Sequence, residues 1–484
     1  MNLRIVIHYL GILVLVIGAT MLVPLGWSLY YGETTARCAF MGAIAVSAIV
    51  GGGAFVLTRR SGQEVFRKEA LAIVGLGWLV TASIGALPYL FAGTFTSPAD
   101  AYFEAMSGFT TTGSTVLTDI EGSDRSILFW RSLTHWLGGM GIIVLFIAVL
   151  PFLGAGGKHL FRTEAPGPVP EGLRPRIRDT AALLWKIYIA MTVVETVALM
   201  VCGISLFEAL CHTFGTLATG GFSTHSESIH YFDSVAVELI IIVFMILAGT
   251  SFSLHFRVWR GDWRAYRRDP ECRAYLGVLA VATLVVTVTL WRSDLYEGLG
   301  TALRYGLFQV VSIATTTGYC TADFNQWPTL AKLILVMLMF VGASAGSTGG
   351  GFKVIRWLTL VKSARLQLER VFRPRTVRRV RIGSAILDNE LLAANITFLG
   401  IGLGLFVLAS FVMAGLGLDL VTAVTSVAAT LNNIGPGLEG VGAVENYALI
   451  AWPGKLLLSL CMVMGRLELY SILVLFVPAF WRSR

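Results

Sequence analysis

The chain has 484 residues, of which 55% are hydrophobic and only 14% are charged, and its mean hydropathy is +0.74. Soluble domains carry about a quarter charged residues, and a soluble protein this apolar would expose larger apolar patches than monomers tolerate. The composition therefore excludes an ordinary soluble protein and predicts an integral membrane protein surrounded by a lipid bilayer.

The first apolar run, residues 5–25, continues into Trp27, Tyr30 and Tyr31. A signal peptide has a shorter apolar segment that ends in small residues before its cleavage site. Aromatic residues at the end of an apolar run are instead typical of a helix end at the membrane surface. We therefore expect a retained first transmembrane helix.

Basic residues identify the segments that face the cytoplasm, because cytoplasmic loops of membrane proteins are enriched in Lys and Arg. Twenty-seven of the 37 Lys and Arg residues lie in five segments: 59–68, 158–178, 257–273, 353–381 and 482–484. A nucleic-acid surface is the alternative for a basic run, but membrane segments flank each run, so we expect no nucleic-acid partner. Orientation, contact with anionic lipid and docking of a cytosolic partner stay open.

Ten apolar stretches are long enough to cross the membrane, which needs about 20 residues of helix. They are 5–30, 39–58, 70–91, 127–153, 181–203, 235–256, 274–291, 329–348, 389–414 and 454–480. Two stretches separate each basic segment from the next. The pattern predicts ten transmembrane helices with both termini in the cytoplasm.

Four segments on the outer side combine about 12 residues of helical pattern with an end rich in small, hydroxyl or glycine residues. They are 98–118, 205–225, 299–321 and 418–438. A helix of that length is too short to span, so each segment predicts a half-helix that returns as extended chain. Irregular backbone survives at this depth only where it lines a water-filled path or is buried in protein.

The extended parts align on one glycine each, and carbonyl rings that replace an ion's hydration shell are how pores select a dehydrated monovalent cation. Glycine allows the backbone conformations that turn successive carbonyls toward an axis. We align Gly113, Gly220, Gly318 and Gly435. The candidate potassium ligands are Thr111, Thr112, Gly113, Ala218, Thr219, Gly220, Thr316, Thr317, Gly318, Asn433, Ile434 and Gly435.

Internal repetition of about 100 residues outranks any local motif as a signal of fold. It predicts an all-α membrane protein in which four fused helix–half-helix–filter–helix repeats surround one pore. The predicted divisions are an N-terminal two-helix domain (1–68), repeat one (69–178), repeat two (179–271), repeat three (272–388) and repeat four (389–484).

These repeats and their glycines resemble the superfamily of potassium transporters that includes the Trk, Ktr and plant HKT types. The resemblance covers the whole chain, and the two extra N-terminal helices are similar to the Trk type. It implies potassium uptake across the bacterial inner membrane and a homodimer with one pore per subunit. It also implies a cytosolic ring of nucleotide-binding Rossmann domains (TrkA in the Trk system). Gly113 matches the potassium-preferring members, whereas Asn432, Asn433 and Ile434 depart from the threonines of repeats one and three.

A glycine- and serine-rich run at 342–351 interrupts the second helix of repeat three, where each glycine costs about 1 kcal/mol relative to alanine. We interpret this run, with Gly346, Gly349, Gly350 and Gly351, as a movable plug below the filter, and the family loop that corresponds to it acts as a gate. A close helix-packing site is the alternative. Arg466, inside the last helix, is either a fixed charge that biases gating or half of an interhelical ion pair.

Acidic residues of the outer segments could raise the local cation concentration, or could be ordinary solvated charges. They are Asp100, Glu104, Asp119, Glu121, Asp124, Glu208, Glu227, Asp294, Asp323 and Glu439.

Other functions find less support in the sequence. The six cysteines are scattered without a CxxC pair, which predicts no disulfide framework and no cysteine metal site. Ser344 lies in a GxSxG pattern, but that motif needs a strand-to-helix turn and a His–acid partner, so we expect no enzyme and no organic cofactor. An ion-coupled secondary potassium transporter with alternating access remains the alternative, since broken helices also suit carriers.

Overall fold

The computed structural model describes residues 1–59, 65–139, 141, 177–374, 379–383 and 385–482. Within these residues the chain is almost entirely helical, and the strands described are two antiparallel pairs of residues, β1 (Arg381–Ile382) and β2 (Ala385–Ile386). The predicted all-α membrane fold is confirmed. Most of the second basic segment (158–178) lies outside the described residues, which resume at 177. The predicted span 127–153 is described only up to residue 139 and at 141.

Three helices precede the first repeat: α1 (Leu3–Thr20), α2 (Leu22–Tyr31) and α3 (Thr34–Thr58). Helices α1 and α3 pack closely because small residues face each other across the contact. A Cβ on Gly51 would lie 2.8 Å from the carbonyl oxygen of Gly11, and a Cβ on Gly18 would lie 2.6 Å from the Cβ of Ser47. The aromatic end of α2 packs Trp27 and Tyr31 against Phe207 of repeat two.

Each repeat contains a first helix, a short pore helix and a second helix. Repeat one comprises α4 (Arg67–Gly85), α5 (Leu87–Phe91), α6 (Pro98–Phe109) and α7 (Arg125–Gly139). Repeat two comprises α8 (Ile177–Val201), α9 (Leu206–Leu217), α10 (Val235–Ala248), α11 (Phe252–Trp259) and α12 (Ala265–Arg268). Repeat three comprises α13 (Pro270–Arg292), α14 (Gly298–Ala314), α15 (Thr329–Met339) and α16 (Val354–Phe372). Repeat four comprises α17 (Asn389–Gly415), α18 (Leu420–Leu431), α19 (Trp452–Arg466), α20 (Tyr470–Leu473) and α21 (Pro478–Arg482).

The pore helices α6, α9 and α18 have the expected 12 residues, whereas α14 has 17. Two of them begin with a side-chain N-cap: the side chain of Ser205 accepts from the N–H of Glu208, and that of Asp419 accepts from the N–H of Thr422. Short 3₁₀ turns follow three of the returning strands, at Ser228–Phe232, Phe324–Gln326 and Glu439–Val441.

The four repeats close into a ring. The second helix of each repeat packs against the pore helix of the next: α7 against α9, α10 against α14, α15 against α18, and α19 against α6. The last of these contacts joins repeat four back to repeat one. One axis therefore passes between the four pore helices, as the repeat pattern predicts.

Among the described residues, six helices are long and apolar enough to cross a membrane, or eight if two bent pairs each count as one span. The bends are 99° between α10 and α11 and 120° after α19. The stretch 329–348 is not a continuous helix, because α15 ends at Met339 and non-helical chain runs to Lys353. The break therefore begins before the predicted 342. Ten spans and the repeat boundaries stay predictions, although α4, α8, α13 and α17 begin within two residues of those boundaries.

Candidate functional site

All four pore helices end in the same backbone turn. Two residues after each helix the chain adopts a left-handed conformation, with φ of 53° at Thr111, 55° at Thr219, 62° at Thr316 and 54° at Asn433. The N–H of each of these residues donates to a carbonyl three residues earlier. Positive φ is a strained state for a β-branched residue such as threonine. Strain of this kind persists only where the surrounding structure imposes it, typically at functional sites.

The glycine that follows two residues later is also left-handed in every repeat. The four φ angles are 83° at Gly113, 79° at Gly221, 83° at Gly318 and 106° at Gly435. The equivalent of Gly113 in repeat two is therefore Gly221, and the alignment on Gly220 is wrong by one residue. The sequence places two glycines side by side in repeat two, so composition could not tell which one takes the positive φ.

In the corrected register, Gly220 is equivalent to Thr112, Thr317 and Ile434. Ala218 is equivalent to Thr110, Thr315 and Asn432, at the end of each pore helix. Each left-handed glycine lies against the carbonyl oxygen of this position in the next repeat. A Cβ would overlap that oxygen in three pairs and approach it to 2.9 Å in the fourth: Gly113 with Gly220, Gly221 with Thr317, Gly318 with Ile434, and Gly435 with Thr112. The cycle closes, so the four strands surround one axis at contact distance.

The four carbonyl oxygens of that level, on Thr112, Gly220, Thr317 and Ile434, receive no hydrogen bond from the part of the chain that the structure describes. These residues are buried. A buried carbonyl without a donor is costly unless another partner satisfies it. Above this level, Gly113, Gly221, Gly318 and Gly435 line one cavity of about 130 Å³.

Repeat four breaks the symmetry at two levels. The side-chain amide of Asn433 donates to Thr112 Oγ1 at 3.0 Å and to the carbonyl of Met462 at 2.9 Å, which ties repeat four to repeat one. The carbonyl of Gly435 accepts from Tyr447 Oη at 2.8 Å and from Ser114 Oγ at 3.1 Å. At the glycine level, repeat four therefore has a carbonyl that is already engaged.

The non-helical segment between α15 and α16, residues 340–353, lies directly below the strands. The Gly350 N–H donates to Thr316 Oγ1 at 2.7 Å. A Cβ on Gly350 would lie 2.8 Å from the carbonyl oxygen of Asn432, and one on Gly349 would lie 3.1 Å from that of Thr315. The glycines of this segment let its backbone touch the foot of repeats three and four, where the sequence predicts a plug.

Several hydrogen bonds hold the segment against the neighbouring helices and within itself. Glu271 Oε1 accepts from the N–H of Ala345 at 2.7 Å and from that of Ile355 at 3.1 Å, so one carboxylate clamps both ends. Thr348 Oγ1 donates to the carbonyl of Ala248 at 3.1 Å. The ammonium of Lys353 donates to the carbonyl of Gly349. The N–H of Ser344 also donates to the carbonyl of Gly249 at 3.0 Å, and the N–H of Phe252 donates to the carbonyl of Gly346 at 2.9 Å, so the segment is an anchored loop rather than a helix.

Arg466 is the last residue of α19 and not a residue inside the helix, because the chain bends there by 120°. Its guanidinium donates to the carbonyl of Thr348 in the loop at 2.6 Å and to that of Gly138 at 2.8 Å. Its side chain is 7% exposed. The ion-pair alternative is wrong for the described contacts, since Glu468 pairs with Arg356 instead.

Several outer acids are not free to attract cations. Glu104 is fully buried, where it pairs with Arg131 at 2.6 Å and accepts from the N–H of Val116 at 2.9 Å. Asp100 pairs with Lys455 at 2.7 Å. Through Glu104, the Glu104–Arg131 pair holds the extended chain after Gly113 in repeat one. Arg131 also donates to the carbonyl of Ser223, which joins repeat one to repeat two.

Sequence reasoning missed Arg131, His135 and Glu271. Arg131 had a signal, because it is a charge inside a predicted span. His135 also lies in that span, one turn later on α7, and is fully buried. Glu271 had no such signal, since it lies in the basic segment 257–273, in the first turn of α13. In the described part of the chain, no cluster of three or more His, Cys, Asp or Glu side chains forms a metal site.

The corrected register predicts different costs for two glycines that both have positive φ. Gly221→Ala adds strain of about 1–2 kcal/mol and drives a methyl group into the Thr317 carbonyl. We expect a lower Tm in detergent and loss of cation flux in liposomes. Gly93→Ala is the matched control, because Gly93 has φ of 73° and nothing within 4 Å of its added Cβ. It should lose stability but keep its flux; equal flux in both variants would contradict the register.

Known proteins with similar sequence and structure agree with this architecture. The family model of the TrkH cation transport proteins matches residues 36–483. The chain is 40% identical to the "Trk system potassium uptake protein TrkH" of Salmonella typhimurium, and 41% identical to that of Halomonas elongata; both alignments cover 100% of both chains. A crystal structure of the potassium transporter TrkH from Vibrio parahaemolyticus superposes with a TM-score of 0.90 at 36% identity, over 100% of both chains. The chain therefore belongs to the TrkH family of cation transport proteins.

Proposed function

We propose that this chain carries potassium ions across the bacterial inner membrane through a pore between its four repeats. The observation that carries the proposal is the ring of four carbonyl oxygens, on Thr112, Gly220, Thr317 and Ile434, to which none of the described residues donates a hydrogen bond. A dehydrated monovalent cation is the partner that such a ring fits. The names of the relatives, which describe potassium uptake, support the choice of ion.

The pore helices also stabilise a cation at the carbonyl ring. Their carboxyl ends at Phe109, Leu217, Ala314 and Leu431 converge just below the ring. Each such end carries a partial negative charge, and the low dielectric of the membrane interior strengthens its attraction for a cation. No acidic side chain is needed at the ring, so the ion is held by dipoles and can leave again. The chain uses potassium as its substrate and no organic cofactor.

The loop 340–353 is the gate in this proposal. It closes the path below the filter, and its glycines 346, 349, 350 and 351 let it change conformation without side-chain clashes. Arg466 holds the loop in the closed position, because its hydrogen bonds join the loop to the carboxyl end of α7. Its charge also repels cations from the path while the loop is closed.

A carrier with alternating access is the other function considered. Carriers of that kind are commonly built from inverted repeats that rock against each other. Here the packing of each second helix on the next pore helix runs in one direction around the ring and closes after four steps. This parallel order supports a pore. The relatives' names describe transport, which supports the expectation that the chain is not an enzyme.

We further propose a homodimer, ten spans, both termini in the cytoplasm and control by a separate cytosolic ring that binds a nucleotide (TrkA-like). Helix α16 carries Arg356, Lys362, Arg365 and Arg370 of the basic segment 353–381, and Lys362 donates to the carbonyl of Arg381 in β1 at 2.7 Å. That segment is too short to fold into a nucleotide-binding domain of about 100 residues. Since α16 begins next to Lys353 at the end of the loop, a pull on α16 reaches the gate directly.

Gly113→Ser tests the filter. Gly113 has φ of 83°, and an added side chain would displace the carbonyl of Gly220. We expect the permeability ratio of potassium to sodium to fall by about tenfold, equivalent to 1.4 kcal/mol of lost discrimination. Reversal potentials under bi-ionic conditions measure it. Gly93→Ser, at an open position with similar φ, is the control, and an unchanged ratio in Gly113→Ser would remove Gly113 from the filter.

Shortening the loop tests the gate. Deletion of residues 347–350 removes the hydrogen bonds to Thr316, Ala248 and Arg466 while it leaves the carbonyl ring in place. The expected result is a severalfold rise in basal potassium flux into liposomes, with unchanged selectivity. Deletion of residues 294–296, in the short loop between α13 and α14, controls for chain shortening. A folded but silent loop deletion would show that the loop supports the pore instead of closing it.

The cytosolic ring is tested by single-channel recording of the chain with and without the partner, across ATP, ADP and NADH. Because no phosphate-binding loop in a strand–helix context occurs in the sequence, the open probability of the chain alone should not change with nucleotide. The complex should respond. An equal response of the purified chain would place the sensor in this chain.

A further inference from the structure

The filter strand of repeat two rests on an imidazole ring. Gly220 occupies the position that is threonine in repeats one and three, and a Cβ there would overlap the Nδ1, Cγ and Cε1 atoms of His135. Gly220 has no positive φ. Its glycine is therefore required by the neighbouring ring, and not by backbone conformation.

Repeats one and three hold the same position differently. Thr112 Oγ1 and Thr110 Oγ1 are 2.8 Å apart, and Thr317 Oγ1 and Thr315 Oγ1 are also 2.8 Å apart. Each hydroxyl pair ties the strand to the end of its own pore helix. Repeat two has Ala218 and Gly220 at these positions and has no hydroxyl at either. The N–H of Gly220 donates to the carbonyl of Gly215 at 2.8 Å, as the equivalent N–H groups of the other repeats do to their own pore helices, but Gly220 has no side chain to add to this hold.

We propose that His135 is the filter-positioning residue of repeat two, and that its ring packs behind Gly220 in place of the threonine pair. This inference rests on the proposed function of the carbonyl ring. His135 is fully buried, and neither ring nitrogen has a hydrogen-bond partner among the described residues. The ring therefore acts through its shape and not through a hydrogen bond.

The imidazole is itself held rigidly. It stacks on Phe222, the second residue after Gly220, with ring centroids 4.1 Å apart and planes 16° apart. Phe222 also receives the guanidinium of Arg131 at 3.7 Å from its centroid. Helix α7 approaches the strand closely enough that a Cβ on Gly139 would lie 2.8 Å from Ala218. Histidine, phenylalanine and glycine thus form one packed unit behind the filter.

Bi-ionic reversal potentials test the effect on selectivity. His135→Ala opens a space behind Gly220, and the permeability ratio of potassium to sodium should fall by about tenfold. His135→Phe keeps a flat ring and should stay within about twofold of the wild type. His255→Ala is the matched control, because it removes another buried imidazole, which bonds Tyr266 and the carbonyl of Leu247 away from the filter. An unchanged ratio in His135→Ala, or an equal loss in His135→Phe, would overturn the proposal.

A stability cycle tests the contact independently of ion selectivity. Gly220→Ala should lower the Tm in detergent, since its methyl group meets the imidazole, and the loss should be less than half as large in a His135→Ala background. Equal losses in both backgrounds would overturn the contact, since residues that touch are coupled. A wild type that fails to discriminate potassium from sodium would contradict the proposed function and leave this cycle to decide the contact. Should His135→Ala fail to fold, His135→Leu replaces it in both measurements.

Discussion

Four buried carbonyl oxygens to which no described residue donates a hydrogen bond are the constraint on which this structure depends. In the membrane interior such groups cost several kcal/mol each unless a partner satisfies them. Each repeat reaches the axis once. The carbonyl oxygens of Thr112, Gly220, Thr317 and Ile434 lie there, each against the glycine of the preceding repeat. The re-entrant helices, the left-handed turns and the packing of each second helix on the next repeat all serve to bring these carbonyls to one level.

The four repeats support that level in different ways. Repeats one and three use hydroxyl pairs, repeat two uses a packed imidazole, and repeat four uses the amide of Asn433 bonded across to Thr112. Because the four repeats lie in one chain, each position can change alone. The segment 340–353 interrupts the second helix of repeat three, and Arg466 of repeat four donates a hydrogen bond to it.

Much of the architecture could be predicted from the sequence, because repetition and short apolar half-helices are signals that survive divergence. The short pore helices of repeats one, two and four, the approximate position of the loop and the proximity of Arg466 to it followed from pattern. The register in repeat two did not, since Gly220 and Gly221 are chemically identical and the choice depends on His135, which lies 85 residues earlier on another helix. Glu104 was also misjudged as a candidate surface charge, because its partner Arg131 is 27 residues away and the pairing needs three-dimensional contact.

The central claim is that a dehydrated cation lies within the carbonyl ring. Anomalous diffraction from crystals grown with thallium(I), a monovalent ion that replaces potassium, tests it most directly. We expect a peak on the axis between the carbonyls of Thr112, Gly220, Thr317 and Ile434, and an excess of sodium nitrate should not remove it. Peaks confined to the outer acidic residues, with none at the ring, would contradict it.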